Sequence, residues 1–236
     1  TVRWLDLPSG AGVNRVSWDL RMPAPDPVNL VPPGFVTPWS GAPQGPMVAP
    51  GRYSAQLVVL DSDGARTVGD EASFNLKALF PGDHAATMAS QADARELIRR
   101  IEVANSELGE FSNRIRHMRA ALLLAPGADA AVFQQVDALE GALTSLRTSL
   151  SGDRVRGQLN ETSSPSIRSR VNRAVGSMFG TTQAPTQTQL HGLELGRAAF
   201  DSFKNQVGAF RTQMGAAEAA LESAGAPWTP GRSNKS

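Results

Sequence analysis

Hydrophobic and polar residues follow two different periods along the chain, and the change falls at Ala78–Asp83. Before it, apolar and polar residues alternate in short runs, as they do in half-buried β-strands. After it, apolar residues recur at intervals of three and four, which is typical of amphipathic helices packed along a heptad seam. The pattern predicts a β region over 1–80, a helical region over 81–226 and a tail over 227–236.

Three long segments carry the helical spacing, and a shorter one lies between the second and the third. The seam residues of the long segments are Leu97, Ile101, Ala104, Leu108, Phe111, Ile115, Met118 and Leu122; Val132, Val136, Leu139, Leu143, Leu146 and Leu150; and Phe200, Phe203, Val207, Phe210, Met214, Ala217 and Leu221. The shorter segment has Ile167, Val171, Val175, Met178 and Phe179, with Ser164 as the predicted N-cap and Pro165 as the first helical residue. The short break at Pro126–Gly127 predicts that the first two helices are antiparallel neighbours. We therefore expect an elongated antiparallel bundle of three or four helices.

The first 80 residues show four runs with strand alternation. Their same-face residues are Val16, Trp18 and Leu20; Tyr53, Ala55, Leu57 and Val59; Ala72, Phe74 and Leu76; and Val2, Trp4 and Leu7. A Pro-rich loop over 22–49 is too broken by proline to be a central strand. The turn Asp61-Ser-Asp-Gly64 could suggest a calcium loop, but glycine stands fourth instead of sixth, so a hairpin turn is the better interpretation.

Part of this region resembles a known family. The residues are Gly12-x-Asn14-Arg15-Val16-x-Trp18-Asp19-Leu20-Arg21, followed by Ala49-Pro50-Gly51-x-Tyr53. They resemble the immunoglobulin-like or fibronectin-like sandwich, followed by a helical region, near the C-terminus of bacterial secreted sortilin-like β-propeller proteins, whose BNR repeats give them a glycosyl-hydrolase label. The resemblance implies an α+β fold in two parts, a β-sandwich and then the bundle.

The resemblance stops short of the propeller, so it transfers no catalytic residue. A sandwich of this type has about seven strands, and four are recognisable here. Since the chain also starts with Thr1 instead of Met, we expect a processed form or a piece of a longer protein, with further strands upstream.

Composition narrows the classes of function. The formal net charge of the 236 residues is +1, which argues against a globally basic nucleic-acid-binding protein. The chain has no cysteine, hence no disulfide, thiolate zinc site or cysteine nucleophile. This suits an exported bacterial protein, periplasmic or secreted. No apolar run reaches the roughly 20 residues of a membrane span.

The chain offers little catalytic chemistry. His84, His117 and His191 are far apart and show no metal-binding spacing. There is no Gly-x-Ser-x-Gly elbow and no glycine-rich phosphate loop before a helix. We therefore predict that the protein is not an enzyme and that it has no cofactor and no metal.

Two features suggest partner contacts. Arg154, Arg156, Arg168 and Arg170 form the strongest local excess of charge, suited to lipid headgroups or an acidic protein surface; a solvated linker and helix face is the alternative. Trp39 in the Pro-rich loop and Trp228 in the tail suit interface anchors, or they fold back onto their own domain.

These observations favour a non-enzymatic structural or interaction subunit that docks on a larger extracytoplasmic or membrane-associated protein complex. A photosynthetic or respiratory complex is one narrower hypothesis. The alternatives are the accessory C-terminal region of a secreted propeller glycosyl hydrolase, and carbohydrate binding by Trp4, Trp39 and Tyr53.

Overall fold

The structure is a computed structural model that describes residues 1–8, 10–28, 30, 37–39 and 41–232. Two strands and five helices follow one another in these residues. They are β1 (Gly51–Asp61), β2 (Gly64–Leu76), α1 (His84–Leu122), α2 (Ala130–Ser151), α3 (Arg154–Gln158), α4 (Ile167–Val175) and α5 (Gln187–Ser223). Helices α1, α2 and α5 pack together as the sequence predicts, and α4 lies against α5.

The hydrophobic core lies inside the helical part. All members of the main buried cluster fall between Ala94 and Ala226, and the heptad positions of α1, α2 and α5 supply most of them. The rings of Phe111 and Phe210 meet with centroids 5.1 Å apart, which joins α1 to α5. The predicted seams are confirmed as the buried faces of the three long helices.

Two local predictions in the helical part need correction. Ser166, and not Ser164, caps α4: its hydroxyl accepts a hydrogen bond from the backbone N–H of Ser169 at 3.2 Å, and the helix begins at Ile167. The segment after α2, for which a solvated linker was one of two interpretations, contains the short helix α3, capped by Asp153. Both corrections follow from serine and aspartate side chains that accept from backbone N–H groups two or three residues ahead.

The predicted β-sandwich is wrong. Among the described residues the sheet has two antiparallel strands, β1 and β2. The runs Val2–Leu7 and Val16–Leu20 are irregular. In the part of this region that the structure describes, the isolated bridge between Arg21 and Met47 is the one further pairing. The expected two-part fold of a sandwich and a bundle is thus replaced by a hairpin and a bundle.

Backbone geometry explains why the alternating run at Val16–Leu20 is not a strand. Leu20 has φ of 58°, in the left-handed region, which breaks an extended chain. The turn is held by Trp18, whose indole N–H donates to the Arg21 carbonyl at 3.0 Å, and by Asp19, whose carboxylate accepts from the Arg21 backbone N–H at 3.1 Å. The alternating pattern correctly indicates that Val16, Trp18 and Leu20 are apolar positions, but it does not show whether another strand pairs with this segment.

The hairpin follows the predicted turn. Asp61 pairs with Gly64 at its tip, and the Asp61 carboxylate accepts from the backbone N–H of Asp63 at 3.0 Å. At its base, Tyr53 pairs with Phe74. The register shifts between Ala55 and Leu57, where Gln56 faces a bulge of β2 over 69–71.

Both ends of the Pro-rich loop dock on the bundle. The Arg21 guanidinium donates to the carbonyls of Gly45, at 3.0 Å, and Phe179, at 2.7 Å. The backbone N–H of Met47 also donates to Phe179, at 3.2 Å. A side chain on Gly45 would collide with the Met22 carbonyl, so glycine is required here.

Candidate functional site

The hairpin is the largest element of the described structure that contributes no residue to the core. No residue of β1 or β2 is buried, and among the described residues no helix packs on either strand beyond a marginal contact. Leu57, Leu60 and Phe74 are 44%, 75% and 37% exposed. A two-stranded hairpin without a covered face is marginally stable by itself, which makes this element suited to a partner.

The two long edges of the hairpin differ in chemistry. From Tyr53 to Leu60, β1 carries no charge, proline or glycine. In contrast β2 carries its bulge over 69–71, with Gly69 at φ of 71° and the acidic Asp70 and Glu71 beside it. Bulges and charges are the devices by which proteins protect sheet edges from pairing. The β2 edge has them and the β1 edge does not.

Three aromatic rings fix the base of the hairpin. Trp18 meets Tyr53 and Phe74 edge-on, with centroids 5.6 and 6.4 Å away, and Tyr53 stacks on Phe74 at 6.1 Å. The Tyr53 hydroxyl donates to the Ala49 carbonyl at 2.7 Å. Tyr53 therefore has a packing role, while its supposed carbohydrate-binding companions Trp4 and Trp39 are 69% and 85% exposed.

A second candidate site is a cleft where the loop segments meet the bundle. Its volume is about 330 Å³, and it lies between the segment around Pro25 and Pro43, helix α1 and helix α4. Glu102 of α1 lines it and is 6% exposed, and the Arg168 Nε atom lies 2.8 Å from the Glu102 Oε1 atom. Burial raises the pKa of the Glu102 carboxyl; the charge of Arg168 opposes this shift and that of Asp26 adds to it.

The structure does not gather the four predicted arginines into one patch. Arg168 and Arg170 are two positions apart on α4, so they point to opposite sides of the helix. Arg168 lines the cleft, whereas Arg170 lines a separate cavity of about 210 Å³ against α5. On α3, Arg156 lies 3.8 Å from Asp153 and 3.9 Å from Glu161, and Arg154 is exposed.

The two predicted tryptophan anchors have different surroundings. Trp39 is 85% exposed, and much of the surrounding loop, 29, 31–36 and 40, lies outside the described residues. Trp228 is 62% exposed and its indole N–H donates to the Arg232 carbonyl at 3.3 Å. Arg232 is buried and pairs with Glu222 of α5. The described part of the tail is thus folded onto the bundle.

The histidines remain apart. His84 begins α1, His117 is exposed on the same helix, and His191 on α5 lies 3.6 Å from Glu194. Within the described ranges no three His, Cys, Asp or Glu side chains come together to form a metal site. In the same part of the chain, none of the helices combines the length and hydropathy needed to cross a bilayer.

Sequence reasoning missed the cleft because it followed only the main seam of α1. A second stripe, Gln91, Ala94, Ile98 and Glu102, flanks that seam at helical spacing. Gln91 is 1% exposed and donates from its amide to the carbonyls of Met178 and Thr181, both at 2.8 Å. A buried polar pair on a second stripe is the signal that a further segment covers that side of the helix.

Comparison of the chain with protein-family models, with curated proteins and with solved structures finds no match. The resemblance to sortilin-like proteins therefore stays a prediction from residue pattern, and the function must be argued from the hairpin and the cleft.

Proposed function

We propose that this protein is a non-enzymatic interaction subunit whose hairpin receives an extended strand of a partner protein along the edge of β1. The single observation that carries the proposal is an ordered hairpin with no buried residue, next to a bundle that has its own core. The partner belongs to a larger extracytoplasmic or membrane-associated bacterial assembly, as the cysteine-free composition favours.

The chemistry of the edges supports β1 as the docking edge. An incoming strand gains main-chain hydrogen bonds from an unpaired edge and specificity from alternate side chains. Tyr53, Leu57 and Val59 share one face of β1, so a strand added beside them extends an apolar surface that Trp18 covers only at its base. Asp70 and Glu71 disfavour the same event along β2.

The absence of cysteine permits a direct test. Leu60→Cys and Leu123→Cys each introduce the only thiol of the chain at a leucine that is 75% or 77% exposed, the first on β1 and the second at the C-cap of α1. With a short thiol crosslinker added to the native source, we expect Leu60→Cys to trap one defined protein and Leu123→Cys to trap none.

A second readout separates specific strand addition from chance capture. In the isolated protein the β1 amides should exchange with solvent quickly, and in the purified complex they should be protected at least about tenfold. A charge on the edge, Val58→Lys, should remove both the crosslink and the protection. Three outcomes would contradict the proposal. They are equal crosslinking at both thiols, crosslinked products made only of two copies of this chain, and unchanged amide exchange of β1 in the complex.

A further inference from the structure

The cavity between α4 and α5 carries two positive charges that no acid in its wall balances. Arg170 and Arg173 of α4 line it, and in the described part of the chain no Asp, Glu or His side chain joins them there. The cleft beside α1 is different, since two arginines and two carboxylates line it together. Residues three positions apart lie on the same side of a helix, so the two guanidinium groups can serve one ligand.

Neither arginine is held by a carboxylate. The Arg170 Nε atom donates to the Pro165 carbonyl at 3.2 Å, and in the described structure both terminal NH2 groups of this side chain lack a protein acceptor. Among the described residues Arg173 makes no hydrogen bond and no ion pair. Glu194 of α5 lies 3.6 Å from His191 instead. Both arginines are exposed, so we expect their stems to form the wall and their charged heads to stand at the opening.

The remaining wall is mostly apolar. Ala174 is 6% exposed and Leu195 is 47% exposed, and Pro165, Gly192 and Thr188 complete the lining. The volume of about 210 Å³ corresponds to about seven atoms at roughly 30 Å³ each, the share of one water molecule. The cavity therefore admits a single aliphatic chain of about six carbons and is too small for a large ring system.

We propose that this cavity binds an aliphatic carboxylate, the chemical class of a short fatty acid. The aliphatic chain lies against Ala174 and Leu195. The carboxylate lies at the opening, where it accepts hydrogen bonds from the free NH2 groups of Arg170 and Arg173. A planar guanidinium group matches the two oxygens of a carboxylate, and a neutral or cationic head cannot replace them. This inference is independent of the hairpin and of its partner.

The test is titration of the full chain, labelled in its methyl groups, with hexanoate, neutral hexanol and hexylammonium, which share the chain and differ in the charge of the head. We expect saturable NMR shifts at the methyls of Ala174, Thr188 and Leu195, with hexanoate binding most tightly, hexanol less tightly and hexylammonium least. The methyls of Leu60 on the hairpin should show no saturable shift, which controls for unspecific contact with apolar surface. Added salt should weaken the binding of hexanoate and leave that of hexanol unchanged.

Variants separate the contribution of the charge from that of the chain. Arg173→Gln should weaken hexanoate binding about two- to fivefold, as expected for an exposed ion pair, and combining it with Arg170→Gln should bring hexanoate to the affinity of hexanol. Arg154→Gln, at an exposed arginine of α3 outside the cavity, is the matched control and should change nothing. Thr188→Leu, which fills the cavity and keeps both charges, should weaken hexanoate and hexanol alike.

Three outcomes would overturn the proposal. They are equal affinity for hexanoate and hexylammonium, equal affinity of the wild type and the double arginine variant for hexanoate, and absence of any saturable shift at tens of millimolar ligand.

Discussion

The hairpin and the bundle use apolar residues in opposite ways. In the bundle, Leu97, Phe203 and Leu221 are each at most 1% exposed. In the hairpin, strands of similar apolar content bury no residue, and Leu60 at 75% exposure stands beside Asp61 at the tip. The same alternation that looks like the signature of a core strand here describes a surface.

This difference assigns the stability of the fold to the bundle and a partner-binding surface to the hairpin. Burying a large aliphatic or aromatic side chain contributes about 1.5–3 kcal/mol before chain entropy is subtracted, and the bundle has many such side chains within one cluster. The hairpin gains little from its own apolar residues. The bundle therefore accounts for the folding of the chain, and the apolar surface of the hairpin stays available to a partner.

The sharpest test of this difference is the same substitution in both regions. Leu150 at the end of α2 is 0% exposed, so Leu150→Ala should lower the free energy of unfolding by about 2–5 kcal/mol. Leu60→Ala on the hairpin should change it by less than about 0.5 kcal/mol. Urea unfolding followed by circular dichroism measures both. Similar losses in the two variants would break the comparison.

A second test concerns how closely the bundle is packed. A Cβ atom on Gly196 of α5 would lie 2.5 Å from the Val171 Cγ2 atom of α4, whereas one on Gly208 meets nothing within 4 Å. Both glycines lie in α5, where alanine is favoured by up to about 1 kcal/mol. Gly208→Ala should therefore stabilise the protein, and Gly196→Ala should be less stable than Gly208→Ala by about 1–3 kcal/mol.

Thermal melting of the two variants side by side checks this prediction, because intrinsic helix propensity cancels between them. Equal melting temperatures would mean that α4 moves away from α5 without cost. The contact between Gly196 and Val171 would then be loosely packed, and close packing could not be assigned to the whole of the bundle.

The sequence was sufficient for the long helices because their information is local. Positions such as Phe111, Val136 and Phe210 repeat at the helical period over many turns, and each period identifies its own buried face. The turn at Asp61–Gly64 was predictable for the same reason. The number of strands was not predictable, because a strand forms only if another segment pairs with it. The alternation at Val16–Leu20 also gives no information on the backbone conformation of Leu20.

The cleft was unpredictable for a related reason. Glu102 and Arg168 are separated by a long stretch of sequence, and Asp26 comes from the other side of the hairpin. Their proximity depends on the close approach of Gly45 to Met22 and on the docking of Arg21 at Phe179. A charged residue beside a seam looks solvent-exposed until the segment that covers it is known.

Glu102 provides a third test, at the contact between the loop segments and the bundle. Burial raises its pKa above the ordinary value of 4.5, so the folded protein still holds this proton at pH values where the unfolded chain has released it. Stability then falls as the pH rises through that range. Glu102→Gln does not titrate, so its stability relative to the wild type should increase as the pH rises from below 4.5 through the raised pKa of Glu102.

The control is Glu96→Gln on the same helix. A hydrogen bond from Arg99 lowers the pKa of the exposed Glu96, so the sign is reversed: the relative stability of this variant should decrease as the pH rises, and by little. Chemical unfolding at several pH values measures both trends. A parallel trend for the two variants would show that the loop segments do not bury Glu102 in solution.

The smallest expected effect concerns the ion pairs on the bundle surface. Arg211 of α5 holds Glu107 of α1 through two hydrogen bonds of 2.6 and 2.7 Å, and the two side chains are 58% and 27% exposed. Solvent screens such a pair, so a double-mutant cycle with Arg211→Gln and Glu107→Gln should give a coupling of about 0.2–1 kcal/mol. Added salt should reduce it further. A coupling of several kcal/mol would contradict this prediction. It would mean that a surface ion pair stabilises the packing of α1 on α5 as much as a buried leucine or phenylalanine does.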